Sequence, residues 1–362
     1  MIVTASAPGK LVLLGEYAVL EGAPAMVLAV NRRAEVTLSP KLTASDSGLC
    51  AIDAPGIIKD TADFKLQQDG TLEWRGVGSQ VINRLRPVAH LLRALVSQGF
   101  LTASQLPGFT ATLLTLNFFY RGQSGRSDKL GLGSSAALTV ALAFALAEYA
   151  GFPLDKFARE KWLGLLMRAH RAMQGGQGSG LDVAASMWGG VIRYSLRSGT
   201  PDVQQIALPD DIALLFIWTG KGAATNDFLK AFQNWRDNKV AESAAMLRDM
   251  ADISAAGLNA AKENDFKLLL ETVAAYGAAL RGLGKASGVD IYSAEHERIN
   301  EITHDIGAIY KPCGAGGGDL GVALSNDPEA LEHLRLKVEQ AGFKTVGLQI
   351  DPQGARIDTR HQ

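Results

Sequence analysis

Cysteine is nearly absent: two residues, Cys50 and Cys313, stand in dissimilar surroundings in a chain of 362. That number excludes a disulfide framework and any cysteine-built metal site, and a reducing, cytoplasmic setting is the simplest expectation. Net charge is nearly absent as well. The 36 Lys and Arg residues against 37 Asp and Glu leave −1, so the composition carries no electrostatic footprint for nucleic acid or for a membrane surface. Long apolar runs are missing. The most apolar stretch, Leu138 to Leu146, is Ala-rich and ends at Glu148, well short of the ~20 residues a membrane span requires. The opening Met1-Ile-Val-Thr-Ala-Ser-Ala-Pro-Gly-Lys10 lacks the basic start and apolar region of a signal peptide. Neither the P-loop pattern Gly-x-x-x-x-Gly-Lys-Ser/Thr nor the protein-kinase signatures occur, which removes two large kinase classes on motif grounds. No internal repeat or low-complexity tract is present.

What remains is an ordinary globular composition, 47% hydrophobic and 20% charged. The chain is longer than one core usually serves, so two domains are expected. The polar stretch Ser195-Leu-Arg-Ser-Gly-Thr-Pro-Asp-Val203 has the composition of a surface connection and marks the expected boundary, giving units 1–197 and 198–362. Apolar runs alternating with turn signals over residues 2–40 read as strands. Residues 79–98 have helical spacing that Pro87 should bend or divide. Phe109 to Tyr120 reads as a strand, and Ser135 to Tyr149 as a helix apolar on almost every face and therefore buried. A further helix is expected over 154–174 and a strand over 190–194. Beyond the boundary come strand 212–218, helices over 226–283 and 292–307, strand 322–325, helix 327–341 and strand 343–350. That order suggests an α+β sandwich with helices on one side of an antiparallel sheet.

Glycine, at 39 residues, carries the chemistry. The loop Lys129-Leu-Gly-Leu-Gly-Ser-Ser-Ala136 opens the buried helix. Three readings compete for it. Gly131-Leu-Gly-Ser-Ser-Ala136 fits the loose dinucleotide fingerprint Gly-x-Gly-x-x-Ala, but the residues before it, Gln123-Ser-Gly-Arg-Ser-Asp-Lys129, are not the apolar strand that fold needs. A tight turn with a serine N-cap would account for the same residues. Unobstructed backbone N–H groups at a helix start also suit a polyphosphate, with Ser134 and Ser135 adding hydroxyls for a cap and for Mg²⁺.

Two further clusters bear on the choice: Ala7-Pro-Gly-Lys-Leu-Val-Leu-Leu-Gly-Glu-Tyr17 near the start and Lys311-Pro-Cys-Gly-Ala-Gly-Gly-Gly-Asp319 near the end. In this order and spacing the three clusters closely resemble the motifs of the GHMP family of small-molecule kinases, over residues 5–325. The resemblance implies a two-domain α+β fold, with an N-terminal mixed α/β domain and a C-terminal ferredoxin-like α/β sandwich. It also implies a phosphotransferase using ATP and Mg²⁺. By the same resemblance Lys129, Leu130, Gly131, Leu132, Gly133, Ser134, Ser135 and Ala136 wrap the nucleotide phosphates, with Ser135 at Mg²⁺. Lys10 reaches the reaction centre, where a cation stabilises charge that grows in the transition state. Asp182, in Gly178-Ser-Gly-Leu-Asp-Val-Ala184, matches the family's catalytic aspartate; by itself it could equally be a helix cap. Glu16, Tyr17, Ser179, Gly180, Lys221, Gly316 and Gly317 are expected around the acceptor.

Finer features bear on the acceptor. Mevalonate kinases carry a Mg²⁺-binding glutamate eleven residues before the aspartate; that position is Arg171 here. The segment Ala169 to Ala185, the loop Lys129 to Ala137, Lys311 to Asp319 and Trp218-Thr-Gly-Lys-Gly-Ala-Ala-Thr225 instead resemble the phosphomevalonate kinase branch of the family. The last of these has Ala224 where that branch usually has serine. The expected partner is therefore a small anionic metabolite, phosphomevalonate or mevalonate, with no nucleic acid and no membrane. A phosphorylated acceptor brings extra negative charge, which Lys221 with Arg121, Arg126 or Arg171 could meet. A phosphate monoester is already nucleophilic at neutral pH, so Asp182 would orient rather than deprotonate it. Buried and interfacial apolar residues look alike in one sequence, so a homodimer stays open.

Overall fold

The computed structural model describes residues 1–41, 48–121, 127–155, 158–174, 176, 178–223 and 225–361. Of the expected site residues, Arg126 and Ala224 lie outside them, as does the side chain of Arg121. In chain order the elements are β1 (Ile2–Leu14), β2 (Ala25–Pro40), β3 (Leu49–Asp53), β4 (Ala62–Leu66), β5 (Leu72–Arg75), α1 (Ser79–Arg84), α2 (Arg86–Ser97), β6 (Phe109–Leu114), β7 (Phe119–Arg121), β8 (Ser127–Lys129), α3 (Ser134–Tyr149), α4 (Arg159–Met173), α5 (Leu181–Trp188), β9 (Val191–Arg197) and β10 (Thr200–Ile206). Then follow β11 (Ala213–Trp218), α6 (Thr225–Asn238), α7 (Val240–Lys262), α8 (Phe266–Ser287), α9 (Ala294–His304), β12 (Ile309–Pro312), β13 (Leu320–Ser325), α10 (Pro328–Gln340), β14 (Lys344–Thr345) and β15 (Arg356–His361).

A nine-stranded sheet runs β10-β9-β2-β6-β3-β4-β5, and β1 pairs with both β2 and β15. It is mixed, because β3 lies parallel to β6 while the other pairs are antiparallel. The long β1–β2 ladder breaks register between Pro8 and Gly9. The unpaired residues, Asn31 and Arg32, lie on β2, and the ladder resumes with Gly9 opposite Val30 and Lys10 opposite Ala29. Helix α3 packs against this sheet with every residue from Ala136 to Ala147 buried, which is why its sequence shows no polar face. Pro87 divides the helical stretch as expected: α1 stops before Leu85, and the proline sits in the first turn of α2, where its missing N–H costs nothing.

The second sheet, β12-β13-β11-β14, is antiparallel throughout. With helices α6–α9 between β11 and β12, and α10 between β13 and β14, it has the split β-α-β-β-α-β arrangement of ferredoxin-like folds. Two expectations need correction. The stretch Ser195–Val203 is not a connection: it belongs to a hairpin of β9 and β10, so the chain leaves the first sheet after Ile206. Its polar composition reflects an edge strand with alternate residues in solvent. The strand expected over 343–350 shrinks to β14, and the chain then returns to the first sheet as β15 beside β1. Among the described residues no helix is long and apolar enough to cross a membrane.

Candidate active site

Lys10 is placed by its backbone before its side chain does anything. After the bulge its amide donates to the carbonyl of Leu132 at 2.8 Å, and Nζ donates to the carbonyl of Gly131 at 3.1 Å. Gly9 permits this approach, since a Cβ there would come within 2.7 Å of the Leu132 oxygen. The glycine loop is anchored by its apolar members: Leu130 and Leu132 are buried in the core, and the Leu130 amide donates to Phe118 at 3.0 Å. Gly133 caps α3 in the left-handed conformation, φ 74°. The first-turn amides of Ser134, Ser135 and Ala136 have no carbonyl a turn earlier to bond, so they can receive an anion.

Asp182 stands in the first turn of α5, after Gly180 at φ 83°. Its Oδ1 accepts from the Val183 amide at 2.9 Å, and its Oδ2 lies 3.8 Å from His170 Nδ1. The other ring nitrogen, Nε2, is 3.0 Å from Ser135 Oγ. A buried histidine thus joins the two residues expected at the metal and the acceptor, and the sequence reading missed it. Its signal was a lone histidine in a helix whose neighbouring face is apolar, which gives no hint of a partner 35 positions away. Arg171, considered for the acceptor phosphate, is occupied otherwise: Nε donates to Gly178 O at 2.8 Å and NH2 to Ser179 O at 3.0 Å. Tyr194 adds a third bond, OH to Ser179 O at 2.6 Å. Together they hold the turn that presents Asp182.

Two cavities flank the loop. One of about 180 Å³ is lined by Lys10, Glu16, Tyr17, Gln174, Ser179, Gly180, Asp182, Gly314 and Ala315 among others. The other, of about 450 Å³, is lined by Lys129, Ser134, Ser135 and Leu138 with Ile57, Arg84, Pro87, Thr115 and Phe119. A Cβ on Gly133 would meet the Lys10 side chain at 3.2 Å and Asp182 Cβ at 3.8 Å, so the loop's end separates the two spaces by little more than its own backbone. A phosphate chain held on the loop from the larger cavity would present its terminal group to the smaller one.

The third cluster closes the smaller cavity. Tyr17 OH donates to the Ala315 carbonyl at 2.7 Å, and Lys311 Nζ donates to Glu16 Oε1 in a fully buried pair. Tyr276 OH donates to the Glu16 carbonyl at 2.7 Å. Glu16 Oε2 is buried without a hydrogen-bond partner among the described residues. Burial pushes the Glu16 carboxyl above its ordinary range, against the opposing pull of Lys311. Three expected acceptor residues are not brought here. Gly316 packs on Ile291 and Gly317 on Phe228, so they shape the cluster rather than line the cavity. Lys221 pairs with Glu295 at 2.6 Å and is not among the lining residues.

Among the described residues no group of three or more His, Cys, Asp and Glu side chains could hold a metal unaided. The donors at hand, the Ser135 hydroxyl and the Asp182 carboxylate linked to it through His170, are the hard oxygens that Mg²⁺ accepts alongside nucleotide phosphates. The residues therefore fit a cation that arrives with the nucleotide.

Known proteins resemble this chain in sequence and in fold. The sequence profile of the GHMP kinases N terminal domain matches residues 111–190, the segment carrying the loop and Asp182. A phosphomevalonate kinase of Streptomyces sp. (strain CL190) is 31% identical over 93% of this chain and 94% of its own length. A mevalonate kinase of Aeropyrum pernix is 28% identical over 98% of each chain. In fold, the Streptococcus pneumoniae phosphomevalonate kinase solved with phosphomevalonate and AMPPNP superposes with a TM-score of 0.73 at 19% identity, over 97% of this chain and 99% of that one. This chain belongs to the GHMP kinase family and is a phosphotransferase of the mevalonate pathway.

Proposed function

We propose that this enzyme transfers the γ-phosphoryl group of ATP to the phosphate of 5-phosphomevalonate, giving the diphosphate. The observation that carries the reading is the fate of position 171. Where mevalonate kinases place a metal-binding carboxylate, this chain has an arginine bonded to two carbonyls of the turn before Asp182. The identity to a phosphomevalonate kinase along nearly the whole chain supports it.

In this reading the first-turn amides of α3 hold the β- and γ-phosphates, and Ser135 with a nearby carboxylate holds Mg²⁺, which neutralises phosphate charge when bound. Lys10, tied to the loop through Gly131, stabilises the charge of the transferring group. Asp182 orients the attacking phosphate oxygen, which needs no general base. His170 links the two: in the tautomer whose Nε2 accepts a hydrogen bond from the Ser135 hydroxyl, a serine lone pair would be left for the metal and Nδ1–H would lie toward Asp182.

A second reading, mevalonate kinase, draws on one observation. Lys221, the cation expected to meet an acceptor phosphate, is paired with Glu295 and absent from the cavity lining. An ADP-release assay over phosphomevalonate, mevalonate, galactose and homoserine decides between them. Phosphomevalonate should be turned over far faster than mevalonate; equal or reversed rates would sink the first reading.

A further inference from the structure

Asp319 ends the third glycine cluster, and the kinase reading gives it no task. Its backbone is left-handed, φ 57°, a conformation disfavoured for residues with a Cβ. It is held there from both sides. The Asp319 amide donates to Lys221 O at 2.8 Å, and its carbonyl accepts from the Thr219 amide at 3.0 Å and Thr219 Oγ1 at 3.1 Å. The consequence is the position of the carboxyl group. Oδ1 accepts from the Ala223 amide at 3.1 Å, and Oδ2, with no hydrogen bond among the described residues, is pressed onto the glycine loop. A Cβ added to Gly131 would lie 2.3 Å from it. Burial raises the tendency of this carboxyl to hold its proton, and the Ala223 amide and the charges of Lys10 and Lys129 oppose that.

A carboxylate resting on a loop built to receive phosphates is electrostatically wrong for a bare nucleotide. Like charges a few ångströms apart repel strongly where water is partly excluded. The conflict disappears when a divalent cation lies between the two anions. We propose that Asp319 is the second sheet's contribution to the nucleotide site: it disfavours metal-free nucleotide and admits the metal–nucleotide complex, supplying from the third cluster the carboxylate that Arg171 does not. This rests on the kinase reading of the loop.

A purely structural role would have Asp319 serve only as acceptor for Ala223 and as a left-handed turn residue. Asparagine performs both duties without the charge, since it tolerates this conformation and keeps the side-chain oxygen. Asp319→Asn therefore separates charge from shape. ATP is titrated calorimetrically into wild-type and D319N protein without acceptor, once with excess Mg²⁺ and once with a chelator, and melting curves are recorded in parallel. The wild type should prefer the Mg²⁺ form. In D319N that preference should narrow about tenfold or more, mainly because metal-free ATP binds tighter, with the melting temperature unchanged. An unchanged ratio in folded D319N, or both affinities falling together, overturns the proposal. If wild type still binds and turns over Mg²⁺-ATP in that case, the kinase reading survives; a wild type that binds neither form sinks both.

Discussion

Gly131 in the middle cluster and Gly317 in the third have almost the same backbone, φ 74° and 73°, and almost the same crowding: a Cβ would come within 2.3 Å and 2.2 Å of a neighbour. The neighbours differ in kind. At Gly131 the atom is a carboxylate oxygen of Asp319, on the loop proposed to hold phosphate; at Gly317 it is the half-buried ring of Phe228 on α6. One glycine makes room for chemistry and the other for scaffold. Glycine spacing shows where chains approach closely, but not what approaches.

If that division holds, variants on the cavity side should cost turnover and variants on the scaffold side should cost stability. The sharpest test is Lys10→Met and Asp182→Asn. Each should lower kcat by about 10²–10⁴-fold with little change in melting temperature; wild-type ADP release from both would break the comparison. Glu16 sits where the two sides meet. Glu16→Ala leaves Lys311 buried without its carboxylate and should cost about 3–5 kcal/mol in a urea titration. A loss under 1 kcal/mol would mean, on that scale, that the pair is not what holds the third cluster to the first.

His296 belongs to the scaffold side. Its Nε2 bonds the Gly318 carbonyl at 3.0 Å and its Nδ1 lies 2.7 Å from Tyr310 OH. Burial drives its pKa down from 6.5 to about 4, partly offset by that carbonyl. The unfolded chain then binds a proton that the fold refuses. Stability is therefore complete above the unfolded value and falls as pH drops from 6.5 toward 4, by ~3 kcal/mol over the window. His296→Gln should flatten the slope; an equally steep curve in the variant would assign it to other groups. The smallest contrast is the glycine pair itself. Gly317→Ala should lose about 2–3 kcal/mol of stability. Gly131→Ala should lose about as much, because the Asp319 Cβ, fixed to a backbone held from both sides, stands 2.6 Å away as well as the carboxyl, and it should also weaken ATP binding. Equally weakened ATP binding in Gly317→Ala would erase the distinction.

The motif residues were legible because their types and order are chemically constrained. Lys10, the loop and Asp182 could be named from the chain, and the structure brings them around one short stretch of backbone. The buried helix α3 was legible from its lack of any polar face. His170 was not, because its meaning lies in two partners on other elements. Arg171 looked like a free cation until the carbonyls of Gly178 and Ser179 were placed beside it. The edge strands β10 and β15 were also missed. Their sequences are polar, and a ladder with β9 or β1 is a property of the partner strand as much as of their own residues.

By itself, then, the sequence determined the kinase class and named the loop proposed to hold phosphate and the pair proposed for catalysis, since local backbone geometry and residue chemistry are written in consecutive positions. Only the tertiary structure decided which glycines face a cavity, which charges are already spent, and that Asp319 reaches Gly131 across 188 positions of chain. Those outcomes depend on distances between segments that no local pattern encodes.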